Sequence, residues 1–239
     1  MAFGATAEPI PNAAINASVD ARGAFIIKTY VHLVAAVFAF VAIETVIFGL
    51  GLDQVFLETV YSTIPDSRIV WGIVLVLFIG SGYLAQRLAN QDNAMLAYAG
   101  LGIEVLSWSV VFIWPLYFAV HYSSPDVLPT AAITTVVVFG GLTGIVFLTR
   151  KDFSFLKGIL GVGALVALAV IVCSLIFGFQ LGIFFMGAMV LLASGYVLFY
   201  TSNVLHHYRT DQYVAASLAL FSSLALLFWY ILQLFMSRR

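Results

Sequence analysis

Two runs of the chain, 133–148 and 159–177, contain no side chain that is charged at neutral pH, and a short polar stretch lies between them, Thr149-Arg150-Lys151-Asp152-Phe153-Ser154-Phe155-Leu156-Lys157. An uncharged run of this length spans hydrocarbon as a helix, because in lipid every backbone N–H and C=O must be satisfied within the segment. Arg150, Lys151 and Lys157 stand against the single carboxylate of Asp152, and such a group is too costly to bury in lipid, so it lies at a membrane surface. The positive-inside rule assigns that surface to the cytoplasm. The rest of the chain is oriented from it.

The same pattern recurs along all 239 residues, of which 63% are hydrophobic and only 9% charged, whereas soluble domains carry about 25% charged residues. Seven spans are expected, at 29–50, 69–86, 94–120, 130–148, 156–177, 181–200 and 213–236. The fold class is therefore an all-α membrane protein. Residues 1–24 are rich in Ala, Asn and Pro and lack the basic start and apolar core of a cleavable signal peptide. They are expected to form a disordered cytoplasmic tail ahead of one transmembrane domain, 25–239. The connection 51–68, with three acids and Pro65, reads as an outer loop, and 201–212 as an inner one.

Arg22, Lys28, Arg87, Arg150, Lys151, Lys157 and Arg209 then fall on the inner side and Arg68 alone on the outer side. Arg238 and Arg239 oppose this bias. Either the last span crosses and leaves them outside, or it turns back. Pro115 is expected to kink the third span, because its ring displaces a backbone carbonyl and it has no N–H. Gly140 and Gly144, with Gly158, Gly161 and Gly163, are expected to let the fourth and fifth spans approach their neighbours closely.

Several function classes fall away. A formal charge of −1 without a basic block argues against nucleic acid. Cys173 is the lone cysteine, so no internal disulfide or cysteine-based metal site is expected. Neither HExxH, a phosphate-binding loop nor a dinucleotide fingerprint occurs, so no catalytic residue, resident metal or cofactor is assigned. His206 and His207 are adjacent, so on a helix they point about 100° apart and cannot share a metal. Two acids, Glu44 and Glu104, lie inside spans, where an ionised side chain costs at least about 2.5 kcal/mol. They are either the acidic lining of a cation or proton pathway or neutral acids bonded to a neighbouring helix.

Three stretches together resemble the Bax inhibitor-1/YccA family, closer to its bacterial YccA branch: the stretch 149–156 quoted above, Leu198-Phe199-Tyr200-Thr201-Ser202-Asn203-Val204-Leu205-His206, and Tyr213-Val214-Ala215-Ala216-Ser217-Leu218. The resemblance implies a seven-helix bundle with a central last helix in a bacterial inner membrane. It also implies one of two roles: modulation of a membrane-bound AAA protease of the FtsH type, or a pH-dependent calcium leak in which Ca2+ is the transported ion. Channel-like members carry a latch of two aspartates, on the sixth and seventh spans, and an arginine ending the second. Arg87 fits the arginine, whereas Tyr200 and Ser223 stand where the acids are expected. That latch cannot operate here, which leaves Tyr200 to bond Ser223 or to stack on Arg87. Arg150, Lys151 and Asp152 form the family's cytoplasmic motif. Oligomeric state is left open.

Overall fold

The computed structural model describes residues 13–237. A one-turn 3-10 helix, Ala14–Asn16, leads into eight α-helices: α1 Val19–Gly49, α2 Leu52–Thr63, α3 Ser67–Ala89, α4 Ala94–Tyr122, α5 Val127–Thr149, α6 Leu156–Phe177, α7 Ile183–His206 and α8 Tyr213–Met236. All but α2 are long and apolar enough to cross a membrane. The chain is an all-α multi-pass membrane protein.

Local chemistry sets the helix ends. Ser18 accepts the Ala21 N–H to start α1, Asp66 accepts the Arg68 N–H to start α3, and Asn93 accepts from Met95 and Leu96 to start α4. These side chains satisfy donors that the first turn leaves unpaired. Gly178 ends α6 in the left-handed region at φ 74°, and Arg150 ends α5 there at φ 51°.

α8 is the hub, and it packs against α1, α3, α4, α5 and α7. It carries no charged residue. Its Ala215, Ala216, Ser217, Ala219, Ser223 and Ala225 are all buried, and such small side chains let surrounding helices come close in lipid, where no hydrophobic force drives them together. α6, by contrast, is mostly exposed to the surroundings. Aromatic rings fill the middle of the bundle: Phe112 meets Phe40, Phe228 and Trp229, with centroids 5.1 to 5.4 Å apart.

Four sequence expectations change. α1 begins at Val19, and Ala13 and Ala14 are buried, with the Ala14 N–H donating to Tyr208 O at 2.9 Å. The expected disordered tail therefore does not extend over residues 13–24, because the segment pairs with the α7–α8 connection; its first part, residues 1–12, lies outside the described residues. The expected outer loop 51–68 contains α2, whose Leu57 and Asp53 are buried. α7 continues to His206, which shortens the expected inner loop to 207–212.

The glycine expectation also fails in part. Gly140, Gly144, Gly158 and Gly161 have no heavy atom within 4 Å of where a Cβ would stand, so they face away from the bundle. Gly163 does approach a neighbour closely, at Leu192, as expected, and an approach that was not expected occurs at Gly100, where a Cβ would lie 2.5 Å from Ala85 O. α4 runs on through Pro115 to Tyr122.

Candidate functional site

Two polar layers stand out in this apolar chain. The first lies at the end of the bundle where α5, α7 and the 3-10 helix meet loops. Asp152 is placed there by the left-handed turn at Arg150, and its Oδ1 accepts the Ser154 N–H at 2.9 Å. His207 Nε2 lies 3.1 Å from Asp152 Oδ2. Ser202 Oγ, fully buried, accepts the Phe153 N–H at 2.9 Å, and Asp152 Oδ1 is 3.4 Å away. His206 Nδ1 donates to Ser202 O at 2.9 Å. The two polar stretches 149–154 and 201–207 are thus hydrogen-bonded into one structure.

Burial pushes the Asp152 carboxyl up, but the Ser154 N–H, the His207 charge and the bonds from both side chains outweigh it and hold the group below the usual carboxylate range. A lowered folded value means that the stabilisation is complete above the unfolded value and is lost as pH falls through the folded one. Asp152→Asn should therefore lower the melting temperature at neutral pH, with the gap to wild type closing in acid. The expected size is about 1 kcal/mol or less, because both partners are about two-fifths exposed to solvent. Melting curves of both proteins across the acid range check this.

Beside this layer, Arg209 ties three segments. Its guanidinium reaches Asp92 of the α3–α4 turn at 3.1 Å and also Asp211, and its backbone pairs in antiparallel fashion with Ala13. Lys151 and Arg150 are exposed. Arg87, at the same end of α3, is exposed and has no ion-pair partner among the described residues.

The second layer is inside the bundle. Glu104 Oε1 accepts from its own helix's Trp108 Nε1 at 3.0 Å and is bonded to Ser222 of α8. A Cβ on Gly82 of α3 would lie 3.9 Å from its other oxygen. The carboxyl is therefore enclosed by α3, α4 and α8 and tethered across helices. Tyr200 stacks on Tyr196, with centroids 5.9 Å apart, and Ser223 Oγ donates to Leu220 O within α8. Neither a Tyr200–Ser223 bond nor stacking on Arg87 forms, because Tyr200 is held by Tyr196 and by Gln86 of α3, and Ser223 by its own helix. The serine that reaches the buried acid is Ser222, one position before the one singled out by resemblance.

Glu44 is placed differently. It is 7% exposed, and neither carboxyl oxygen has a hydrogen-bonding partner among the described residues. His32 lies against Tyr98, and Phe40 against Phe112, so α1 and α4 run side by side in the same direction. Glu44 is then level with residues near Leu116, roughly 15 Å or more along the axis from Glu104. The two buried acids do not share one cavity.

Sequence reasoning found the two acids within spans but missed most of the partners that polar groups find. Ser202, His207, Arg209 and Asp92 sit in loops or at helix ends, where a linear reading sees only polarity. It also missed the buried Asp53, held by His121 Nε2 at 3.0 Å. The one available signal was an acid in a short helix-forming stretch beside apolar residues.

The family model described as "Inhibitor of apoptosis-promoting Bax1" matches residues 22–239. An uncharacterized protein of Pseudomonas aeruginosa is 31% identical over 166 residues, covering 68% of this chain and 72% of that one. "Modulator of FtsH protease YccA" of Escherichia coli is 31% identical over 157 residues, 64% of this chain and 69% of that one. "Bax inhibitor 1" of Schizosaccharomyces pombe is 29% identical over 222 residues, 89% and 76% of the two chains. No solved structure matches. With a family match that runs from the start of α1 through α8, together with a seven-span bundle built around its last helix, the chain belongs to the Bax inhibitor-1 family of membrane proteins.

Proposed function

We propose that the chain is a non-enzymatic regulator in a bacterial inner membrane that modulates a membrane-bound AAA protease of the FtsH type, with its amino terminus and the Asp152 layer facing the cytoplasm. The supporting observation is the end of the bundle itself. Asp152, Ser202 and His207 tie the α5–α6 connection to the end of α7, Arg209 ties the α7–α8 connection to Asp92 of the α3–α4 turn, and the segment Ala13–Ala14 is pinned beside them. A protease that grips a terminus pulls first against this pairing. The similarity to the E. coli protein named as a modulator of FtsH protease points the same way.

Catalysis has no support at this surface. Ser202, His206 and Asp152 lie together, but the serine is fully buried and its oxygen already accepts a backbone N–H, so it is not presented to a substrate. The expected outcome is that a tagged chain co-purifies with the membrane protease and that removal of residues 2–12 weakens the association or slows turnover of the chain. Association and turnover both unchanged by that deletion would overturn the tail-grip reading.

A Ca2+ leak lined by Glu44 and Glu104 is the second reading. Two acids buried in the bundle favour it, but Glu104 is tethered to Trp108 and Ser222 and the rings around Phe112 lie at the depth between the two. Calcium flux into liposomes carrying the purified chain, reduced by Glu104→Gln, would establish it over the regulator reading.

A further inference from the structure

Glu44 is the one buried acid in the bundle with both oxygens unpartnered among the described residues. An ionised carboxylate cannot persist in an apolar site without paired charge or hydrogen bonds, so the site must bind something that removes the charge or satisfies it. The residues around it decide which. α1 packs against α2, α4 and α8, and at its other end against the 3-10 helix. α8 brings no charged residue. α4 brings Glu104, which is roughly 15 Å or more away and tethered, and His121. α2 brings Asp53, which holds His121 at 3.0 Å, and Glu58, which is exposed. The phenols at that end are Tyr61, which accepts from Trp114 Nε1 at 3.1 Å, Tyr117, whose ring lies 4.7 Å from that of His121, the exposed Tyr122, and Tyr230 of α8, whose ring meets Phe185 of α7. Among the described residues no cluster of three or more Asp, Glu, His or Cys side chains forms around Glu44, whereas calcium takes about six to eight oxygen ligands. The proton is the cation that a lone carboxyl can hold.

Glu44 lies five residues before Gly49, the end of α1, which is about 8 Å of helix. Phe40 and Ile43, before Glu44, pack in the main core. After it, Phe48 also packs in the main core, whereas Ile47 packs in a separate cluster with Leu57 of α2, Val70, Ile113 and Trp114. The carboxyl therefore sits at the seam between the main core and a small cap. That cap is fastened to α4 by two polar contacts, Asp53 to His121 and Tyr61 to Trp114. We propose that Glu44 is a proton-binding site loaded from the α2 end of the bundle, with α2 as the lid over it.

The test treats the full-length chain in liposomes with dicyclohexylcarbodiimide, which reacts with protonated carboxyls shielded from water, and maps adducts by peptide mass spectrometry. The expected result is an adduct at Glu44 whose yield falls as pH is raised, is lost in Glu44→Gln and is unaffected by Ca2+. Glu104 is expected to stay unmodified. Releasing the lid with Asp53→Asn, or with His121→Gln should the first variant fold poorly, is expected to speed modification several-fold. The proposal is overturned by absence of a Glu44 adduct in wild type and both lid variants, by equal modification of Glu104, by a yield independent of pH, or by protection with Ca2+. None of these readouts depends on a protease, so the proposal stands or falls apart from the regulator reading.

Discussion

Gly100→Ala is expected to prevent α3 and α4 from packing and to leave little folded protein after extraction in mild detergent. A Cβ at position 100 would lie 2.5 Å from Ala85 O and 2.7 Å from Ala89 N, both backbone atoms of α3. Backbone cannot swing aside as a side-chain tip does, so the helices must separate along their shared length. Two effects compete. Replacing a helical glycine with alanine favours the helix by about 1 kcal/mol, whereas overpacking costs about 1–3 kcal/mol and occasionally more. Contact with two backbone atoms puts this site at the upper end of that range, so destabilisation wins. Gly102→Ala, two residues on and with nothing within 4 Å, isolates the helix term and is expected to be neutral or slightly stabilising. Thermal unfolding monitored by size-exclusion chromatography separates the two. Equal behaviour of the variants would show that the close approach at Gly100 is wrong.

The second large effect concerns the acid that the bundle encloses. Ser222→Ala is expected to destabilise by about 1–3 kcal/mol, because it leaves a buried carboxyl with one partner fewer. Glu104→Gln should cost much less, since an amide oxygen in the place of Oε1 still accepts from both Trp108 Nε1 and Ser222 Oγ. Removing both side-chain polar groups, in Glu104→Leu with Ser222→Ala, should recover part of what Ser222→Ala loses, because the buried carboxyl is gone and only the Trp108 N–H is left without its acceptor. The pair should therefore be non-additive, with a coupling on the order of 1–2 kcal/mol in a double-mutant cycle. Simple additivity would mean that the cross-helix bond is absent in the folded protein.

Glu104 also shows what a linear reading reaches and where it stops. Its position within a span, and hence the need for a partner, follows from the uncharged residues around it. Its partners are Trp108, one turn along the same helix, and Ser222, 118 positions away. The first could be anticipated from helical spacing; the second depends on which face α8 turns to α4. Asp152 repeats the lesson. The polar stretch around it announces a surface, but its pairing with His207 depends on α5 and α7 ending side by side. The glycines give the opposite case: Gly140 and Gly144 have the right spacing for close helix contact and make none, whereas Gly100 is buried against α3.

Hydrocarbon admits apolar helices and resists charge, and that alone let the sequence determine the class of fold, the positions of seven spans and the residues that must lie at their ends. Side-chain identity and spacing carry this information because the cost of burial is local to each residue. Which helix occupies the centre, which acid is tethered and which is left alone, and how Ala13 and Ala14 pair with Tyr208 and Arg209 were decided only by tertiary structure. These depend on the rotation and neighbours of each helix, and in lipid those are set by close packing and a few hydrogen bonds between residues far apart in the chain.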